Sequence, residues 1–372
     1  DGEPWQAWIE RHLPWLKVFS IPKVFGIFMS RVSGHDRKGV DPFMSEPALF
    51  FDVIQRRRNR NGASFCCGAG SIHRREALFE AALFNTVSQL DTARAKLGAV
   101  VPVSTSSLEP FKFHVSEDIY TSILLHSNKS KKWKSVYHPD VECRMLSPWT
   151  VDAWAMQKLK YAGGTFDIMM RGNPLMKTGM PWRTKLHYAA TFWSYLSIVW
   201  LPIMLFAPAL SMVTGWAPVK AYSYDFFAHI IPVLVIGELA LITSCKGYNI
   251  NFGRAMMVGS LPIQVRAFFQ VLAGNRPSFP TTPKTPKFER FDFKIVLPNI
   301  VLLAFLLGVG IFGVLGFLFG VDGYSASFVI VNVFWLCWNA LGLMKVVLLA
   351  LWRPLEQSQV DDFRLEGCVD AK

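Results

Sequence analysis

Residues 295–320 have the sequence IVLPNIVLLAFLLGVGIFGVLGFLFG, which contains no Asp, Glu, Lys or Arg. A helix needs about 20 apolar residues, at a rise of about 1.5 Å each, to cross the hydrocarbon core of a bilayer. Stretches of similar length and apolar character occupy residues 187–210, 226–245 and 327–352. The sequence therefore predicts an α-helical transmembrane region over 187–352, with about four membrane-spanning helices.

The distribution of Lys and Arg between the loops predicts the orientation of these spans. The loop 245–294 is rich in both residue types, whereas 211–225 contains only Lys220 and 321–326 contains neither. Basic residues close to the ends of spans remain on the cytoplasmic side. We therefore expect a multi-pass protein of the cell (inner) membrane, with both termini, the 245–294 loop and a tail formed by 353–372 in the cytoplasm.

The composition is that of a protein partly embedded in lipid. Hydrophobic residues make up 51% of the chain and charged residues only 18%, with a mean hydropathy of +0.27. This composition excludes disordered, collagen-like and small disulfide-rich proteins. The net charge of +12 is explained by basic residues beside membrane spans or around a polyphosphate ligand. Nucleic acid is not expected as a partner, because the sequence has no basic-aromatic nucleic-acid module.

Residues 1–186 are more polar than the remainder and form the predicted cytosolic domain. Short strand-like runs alternate there with helical periodicity, which is typical of an α/β fold. The predicted strands are 64–67 and 133–137, and the predicted helices are 117–126 and 151–162. Residues 1–38 carry no recognisable motif.

A further helical segment lies between the second and third predicted spans. Residues 249–273 are amphipathic and are interrupted at Pro262, which is typical of a helix that lies in the membrane interface. Four prolines follow between residues 277 and 286 and disfavour regular structure there. We expect a mobile cytosolic loop, on which Phe279-Pro280-Thr281-Thr282-Pro283-Lys284 is, by itself, consistent with a stiff linker.

Three motifs in the predicted cytosolic domain each have an ordinary structural explanation. Ser116-Glu117-Asp118 places a capping hydroxyl and two acids at a helix start, as many acidic first turns do. Gln157-Lys158-Leu159-Lys160-Tyr161 offers a cation for a diphosphate and an aromatic ring for a sugar, but it also suits a basic helix on a membrane surface. Phe65-Cys66-Cys67-Gly68 precedes a flexible turn that fits a phosphate, and its cysteines lack the spacing of a metal site, so no metal ligand is assigned.

Taken in order along the chain, these four motifs resemble those of the processive family-2 glycosyltransferases of the bacterial cellulose synthase type. Residues 116–118 resemble the TED motif, 157–161 the QxxRW motif, 279–284 the FxVTxK motif and 65–68 an upstream FFCG motif. The resemblance covers about residues 40–352, and the motifs also agree in position relative to the predicted spans. It implies a partial GT-A glycosyltransferase domain over 1–186, with 245–294 supplying an interfacial helix and a gating loop to the transmembrane region.

The sequence departs from the family pattern in several places. Lys160 and Tyr161 replace the Arg and Trp of QxxRW, which keeps a cation and an aromatic ring but loses the bidentate guanidinium. Ser116 and Thr281 also differ, which suggests a β-glucan other than cellulose. The family's Asp-x-Asp motif, which holds the nucleotide and its metal upstream of FFCG, is absent from the sequence. We therefore expect a partial chain without the N-terminal donor-binding half of the domain.

The resemblance implies transfer of a hexose from a UDP-sugar, with UDP-glucose expected, to a growing β-glucan that passes through the membrane helices. The implied residues are Asp118 as general base, Lys160, Gln157, Phe279, Thr282 and Lys284 at the donor and its pyrophosphate, and Tyr161, Cys67 and Glu117 at the acceptor. Mg²⁺ is the cofactor implied for the intact enzyme. The implied partners are the UDP-sugar, the glucan, the lipid bilayer and accessory export subunits.

Four residues in the predicted spans are candidates for a polymer channel, independently of the resemblance. Asn332, Trp335 and Asn339 share one face of the last span, and Glu238 lies within the second. Amide and aromatic groups can hydrogen-bond to and stack on a moving glucan. The alternative is hydrogen bonding between helices, which polar residues in membrane spans commonly provide.

Two other functions are compatible with the sequence. One is a non-enzymatic membrane remnant or channel-like protein, which the absent Asp-x-Asp motif favours. The other is a non-processive lipid-linked glycosyltransferase. The QxxRW-like element and the predicted gating loop favour a processive enzyme over the non-processive one, whereas sequence upstream of Asp1 would decide between a remnant and a fragment.

The charge asymmetry predicts which loops are accessible from outside the cell. Single cysteines at Ser223 and Ser325, in a background without other cysteines, should react with a membrane-impermeant thiol reagent in intact cells, because both lie in loops poor in Lys and Arg. A cysteine at Thr285 should react only after the membrane is opened. Labelling at Thr285 in intact cells would overturn the four-span arrangement and the gating-loop assignment.

Overall fold

The computed structural model describes residues 25–35, 49–68, 70–97, 114, 116–146, 148, 150–217, 223–245, 248, 250–274 and 293–351. Phe279, Thr282, Lys284 and the predicted tail lie outside these residues. The chain forms two compact units. The first contains Phe50–Met145 and Ile168–Thr191, and the second contains Leu146–Asp167 and the residues from Phe192 onward. The boundary at residue 186, drawn from composition, stays a prediction.

Ten elements precede the long apolar helices. They are β1 (Phe25–His35), a π-helix (Phe50–Gln55), α1 (Arg56–Asn59), β2 (Ser71–His73), α2 (Arg75–Leu97), α3 (Glu117–His126), β3 (Lys134–Leu146), α4 (Val151–Arg171), a 3₁₀-helix (Pro174–Met176) and α5 (Trp182–Tyr195). The strands form one sheet in the order β2-β1-β3, and β1 is antiparallel to β2 with Phe28 opposite Ile72. Because the described residues are mostly helical with few strands, the α/β prediction is confirmed only in part.

The two predicted strands had different outcomes. The run at 133–137 falls on β3, which starts at Lys134 and is longer than predicted. The strand predicted at 64–67 is wrong, because this segment has no regular structure. Side chains occupy its backbone groups: the Gln55 amide donates to the Phe65 carbonyl at 2.8 Å, and the Cys66 N–H donates to Ser122 Oγ at 2.8 Å. A segment whose polar groups are satisfied in this way does not need a neighbouring strand.

A buried cluster holds the first unit together. It consists of Phe51, Cys66, Ala77, Ala81, Leu125, Trp133 and Tyr137. Beside it, the His126 ring contacts the Tyr188 hydroxyl at 3.0 Å and Ser135 Oγ at 2.5 Å. Burial lowers the pKa of His126 to about 4, so the imidazole is neutral at neutral pH and connects α3, β3 and α5 without a buried charge.

The remaining helices, which we call the membrane region, include the candidate membrane spans. They are α6 (Ser197–Thr214), α7 (Tyr224–Ser244), α8 (Asn251–Gly259), α9 (Leu261–Leu272), α10 (Phe293–Leu318) and α11 (Ala326–Leu349). Within the described residues, four segments are long and apolar enough to cross a membrane: Trp182–Thr214, which joins α5 to α6, and the helices α7, α10 and α11. This confirms the predicted number of candidate spans.

The amphipathic segment predicted over 249–273 consists of two helices. α8 and α9 meet at Ser260 with a bend of 53°. The predicted break at Pro262 is therefore wrong by two residues. Proline is tolerated in the first turn of a helix, where its missing N–H would have no intrahelical partner, so Pro262 lies inside the start of α9. The location of this helix pair in the membrane interface stays a prediction.

The core of the membrane region lies between α6, α9, α10 and α11. Its largest fully buried side chains are Leu205, Met212, Leu306 and Leu343. Small residues allow close contact between α8 and α11: Val346 packs where a side chain at Gly259 would stand, and a Cβ on Gly342 would lie 3.1 Å from Val258. Packing of this kind, with small residues at the contact, is typical of membrane helices. No residue of α7 is buried.

Side chains from neighbouring helices satisfy backbone carbonyls that lack a partner in their own helix. Pro208 has no N–H for the Met204 carbonyl one turn earlier, and the Asn339 amide donates to that carbonyl at 2.9 Å. The Asn299 amide donates at 2.7 Å to the Gly259 carbonyl, where α8 ends. The Tyr324 hydroxyl donates at 2.6 Å to the Met212 carbonyl, in the last turn of α6. These bonds connect α6 to α11 and α8 to α10.

The Asn339 bond gives a test with an internal rescue. Asn339→Leu should destabilise the protein by about 1 kcal/mol, because it leaves the Met204 carbonyl of an apolar helix without a donor. In a Pro208→Ala background the same substitution should lower the free energy of unfolding much less, because the N–H of residue 208 can then donate to the Met204 carbonyl. Asn332→Leu is the control, since the Asn332 amide donates within its own helix to Phe328. Thermal unfolding in detergent measures all four variants, and an equal cost in both backgrounds would contradict this role of Asn339.

Candidate functional site

The turn at Gly68 brings the backbone of the FCCG segment next to a carboxylate. Gly68 has a φ of +84°, and a Cβ placed on it would lie 3.1 Å from Oδ2 of Asp118. Glycine is therefore needed at position 68 for two reasons: the backbone is left-handed, and Asp118 approaches closely. The first unit thus brings together Cys67 and Asp118, two of the residues that the sequence predicts for the site.

Ser122 fixes the distance between this segment and α3. Its hydroxyl accepts from the Cys66 N–H at 2.8 Å and donates to the Asp118 carbonyl one turn earlier at 3.0 Å. On the other side, the buried Gln55 amide donates to the Phe65 carbonyl and contacts Cys67 Sγ at 3.3 Å. Neither Gln55 nor Ser122 belongs to a motif that predicts it from the sequence. Gln55 and Ser122 position the loop and the helix start, so that the Asp118 carboxylate is presented at a defined place.

The start of α3 differs from its prediction in one respect. Ser116 is the residue that precedes the helix, but its side chain makes no capping hydrogen bond, and its N–H donates to the His114 ring at 3.0 Å. The predicted Ser116 cap is therefore wrong. Glu117 and Asp118 lie in the first turn as predicted, where the helix dipole stabilises negative charge.

The two cysteines are neutral thiols. Burial raises the pKa of Cys66 to about 11, and the nearby Asp118 charge adds to this effect. Burial also raises the pKa of Cys67 well above its usual value, with Cys66 as the next contribution. Neither sulfur is a thiolate at neutral pH, so these side chains pack beside the carboxylate and do not act as nucleophiles.

A buried cation lies behind the FCCG segment. Arg58 is 5% exposed, and its guanidinium is 4.3 Å from the centre of the Phe65 ring and donates to Thr191 Oγ1 at 2.6 Å. Within the described part of the chain it has no carboxylate partner. Burial lowers the pKa of Arg58 to about 10, which leaves it charged at neutral pH. The positive potential of Arg58 therefore acts on the loop from a buried position.

In the second unit, α4 carries Gln157, Lys160 and Tyr161, and Tyr161 lines a cavity of about 370 Å³. The other lining residues are Trp154, Lys158, Ser194, Tyr195, Gly253, Met256, Met257, Ser260 and Gln264. Aromatic rings and hydroxyl, amide and ammonium groups thus surround one space. Such a mixture suits a sugar, whose ring faces stack on aromatic groups and whose hydroxyls form hydrogen bonds.

Lys158 contributes to this cavity, although the sequence analysis gave it no role. Trp154, Lys158 and Tyr161 have the spacing i, i+4, i+7, which places them on one face of a helix and could have revealed the cavity wall. Burial lowers the pKa of the Lys158 ammonium. No described carboxylate pairs with it.

The candidate channel residues have defined contacts. Asn339 donates to the Met204 carbonyl of α6, which is a hydrogen bond between helices, whereas Asn332 donates to the Phe328 carbonyl of its own helix. Trp335 is half-buried, and the channel role of these residues stays a prediction. Glu238 forms an ion pair with Arg254 of α8 at 2.6 Å. That pair neutralises a carboxylate that would otherwise be costly in an apolar span.

Comparison with known proteins gives the family. The family model described as Glycosyl transferase family group 2 matches residues 27–238, more than half of the chain and including the Gly68 turn, Asp118 and α4. The chain belongs to this family. The resemblance inferred from the four motifs is thereby confirmed.

Relatives of this glycosyltransferase extend the similarity into the membrane region. The UDP-forming cellulose synthase catalytic subunit of Pseudomonas fluorescens is 25% identical over 347 residues, which are 90% of this chain and 41% of that protein. Cellulose synthase 1 of Komagataeibacter xylinus is 23% identical over 321 residues, which are 84% of this chain and 19% of the relative. The chain thus spans less than half the length of either relative.

The proximity of Gly68 and Asp118 can be tested by adding one methyl group. Gly68→Ala should destabilise the protein more than Gly274→Ala, because both positions have a φ of +84° but only the first is crowded by a carboxylate. The strained backbone should cost about 1 kcal/mol at each position, and crowding should add on the order of 1 to 3 kcal/mol at Gly68. In an Asp118→Ala background, Gly68→Ala should destabilise the protein no more than Gly274→Ala does. Equal melting temperatures of the two alanine variants would contradict the close approach.

Proposed function

We propose that this chain transfers a hexose from a UDP-sugar, with UDP-glucose as the expected donor, to a growing β-glucan and moves the polymer across the membrane. The observation that carries the proposal is the Asp118 carboxylate, held against the Gly68 turn in the first turn of α3. The relatives are cellulose synthases that include UDP-forming catalytic subunits, and they support the choice of donor and product. The four candidate spans support a membrane-embedded enzyme.

Asp118 serves as the general base. Its carboxylate takes the proton of an acceptor hydroxyl while the hydroxyl oxygen attacks the anomeric carbon of the donor sugar. The bond between that carbon and the β-phosphate oxygen breaks, and UDP leaves with the electron pair. Ser122 acts through Asp118: it fixes the helix start and the FCCG segment and is a positioning residue.

Lys160 and Gln157 bind the pyrophosphate of the donor. Negative charge accumulates on the leaving UDP, and a cation placed there stabilises the transition state more than the ground state. Lysine supplies this charge as a compact ammonium without the planar fork of arginine. Phe279, Thr282 and Lys284 are proposed to close over the nucleotide and exclude water, which would otherwise hydrolyse the donor.

Tyr161 and its neighbours contact the acceptor. The cavity that contains Tyr161 has a second aromatic wall in Trp154, and Gln264 and Ser194 offer hydrogen bonds to sugar hydroxyls. Cys67 and Glu117 are also proposed to contact the acceptor. Neutral thiols suit this role, because they do not react with either sugar.

The described residues do not form a binding site for Mg²⁺. No group of three His, Cys, Asp or Glu side chains in the described ranges is arranged to hold a metal ion. The expected Mg²⁺ therefore stays a prediction, and no step above depends on it.

The test of the base is Asp118→Asn, assayed in membranes of cells that express the protein from its natural gene. Elongation should fall by roughly 10²- to 10⁴-fold, because asparagine keeps the shape of aspartate but cannot accept the proton. Binding of UDP should be nearly unchanged. Asp140→Asn, which changes an exposed carboxylate on β3, is the control.

Lys160→Ala should instead weaken both donor binding and turnover, and Lys160→Arg should restore both.

Near-normal elongation by Asp118→Asn would make residues 116–118 an ordinary acidic helix start. Synthesis of short lipid-linked products by the unaltered protein would replace the processive function with the non-processive alternative.

A further inference from the structure

A basic cavity, which we call the interfacial cavity, lies where α5 begins and has no role in the proposed reaction. It has a volume of about 520 Å³ and contains three basic side chains, Arg60, Lys134 and Arg183. No acidic side chain lines it, and none of the three forms an ion pair within the described part of the chain. A neighbouring cavity of about 360 Å³ shares Arg60 and Arg183 and adds the apolar side chain of Leu186.

The cavity is built by the fold. Gly62 has a φ of +63°, and a Cβ placed on it would lie within 2.9 Å of Cβ, Cγ and Cδ of Lys134. The missing side chain at Gly62 therefore lets the Lys134 stem cross this turn and reach the cavity. Thr184 also lines the cavity and is only 4% exposed. Three basic side chains and a threonine around one cavity, with no acidic residue in its lining, indicate an anionic ligand that can also accept a hydrogen bond.

The cavity lies at the start of the first candidate span, and this position indicates the chemical class of its ligand. Trp182–Thr214 contains 33 residues, and a helix of that length is about 50 Å long, whereas the hydrocarbon core is about 30 Å thick. Part of this segment therefore extends beyond the hydrocarbon core, and the polar start of α5 is the end that suits the headgroup layer. Trp182 and Leu186 are 66% and 58% exposed there, as aromatic and apolar side chains at a membrane interface are.

We propose that the interfacial cavity binds the headgroup of an anionic phospholipid. The phosphate lies among Arg60, Lys134 and Arg183 and accepts a hydrogen bond from Thr184, and the glycerol and acyl chains pass along Trp182 and Leu186 into the bilayer. A bound lipid ties residues 59–62 and Lys134 to the start of the first span. The apolar exit of the cavity favours a lipid over a free phosphate compound. The site is independent of the glycosyltransferase activity.

The test measures retention of phosphatidylglycerol and phosphatidylcholine by the purified full-length protein in neutral detergent, using native mass spectrometry. The protein should bind phosphatidylglycerol in preference to phosphatidylcholine. Arg183→Gln and Arg60→Gln should each weaken phosphatidylglycerol binding about fivefold, at roughly 1 kcal/mol for each basic residue. Lys345→Gln, which removes an exposed lysine of the last span, is the control and should have no effect.

Two variants separate a built site from general attraction between charges. Thr184→Val changes no charge and should weaken phosphatidylglycerol binding about tenfold, because it removes a hydrogen bond to a charged group. Arg183→Lys should keep the preference for phosphatidylglycerol, which also shows that a loss in Arg183→Gln is not misfolding. If Lys345→Gln loses as much binding as Arg183→Gln, or if Thr184→Val has no effect, the site is wrong. Competition by glycerol 3-phosphate at the same concentration as the lipid would identify a soluble phosphate compound and overturn the lipid assignment.

Discussion

Every backbone carbonyl of a membrane-spanning helix needs a hydrogen-bond donor within the protein, because the hydrocarbon core offers none. A proline has no N–H, so each proline inside α6, α7 and α10 leaves the carbonyl one turn earlier without a donor. The last carbonyls of each helix also have no donor within that helix. The structure meets the need at Met204 with Asn339 and at Gly259 with Asn299. Each bond has only one geometry, so it fixes the position of one helix along another. Apolar packing around Leu205 and Leu343 then fills the space that these bonds define.

The same constraint determines the candidate site in the first unit. The FCCG segment is buried and has no neighbouring strand, so Gln55 and Ser122 supply donors and acceptors to its backbone. Ser122 is also bonded to the Asp118 carbonyl. The side chain that binds the loop backbone therefore also fixes the position of the start of α3. Gly68 then allows the loop to turn against the carboxylate. The placement of the proposed base is therefore a consequence of backbone hydrogen bonding, and the first turn of α3 need not be capped by Ser116.

Features that depend on local pattern could be predicted from the sequence, and features that depend on distant partners could not. The candidate spans and the bounds of α3 follow from continuous apolar runs and helical periodicity, which are properties of neighbouring residues. The segment at 64–67 has the composition of a strand, but Gln55 and Ser122 take up its backbone groups, and their position is known only in the fold. For Asn339 the sequence left two explanations open, and the carbonyl freed by Pro208 accounts for the hydrogen bond observed.

The distribution of charge separates structural cations from those available to a substrate. Arg254 is paired with Glu238, and Lys131 is paired with Glu76 and Glu80, so these charges are neutralised within the fold. Arg58 and Lys158 are different, because each is desolvated and neither has a carboxylate partner in the described part of the chain. A desolvated cation without a carboxylate partner is unfavourable in a protein selected for stability alone. It is favourable where negative charge arrives or develops, as on the leaving group of a glycosyl transfer, and local departures from stability of this kind are expected at functional sites. Arg58 lies beside the FCCG segment and Lys158 lies beside Tyr161, so both cations occur next to motifs by which the chain resembles processive glycosyltransferases.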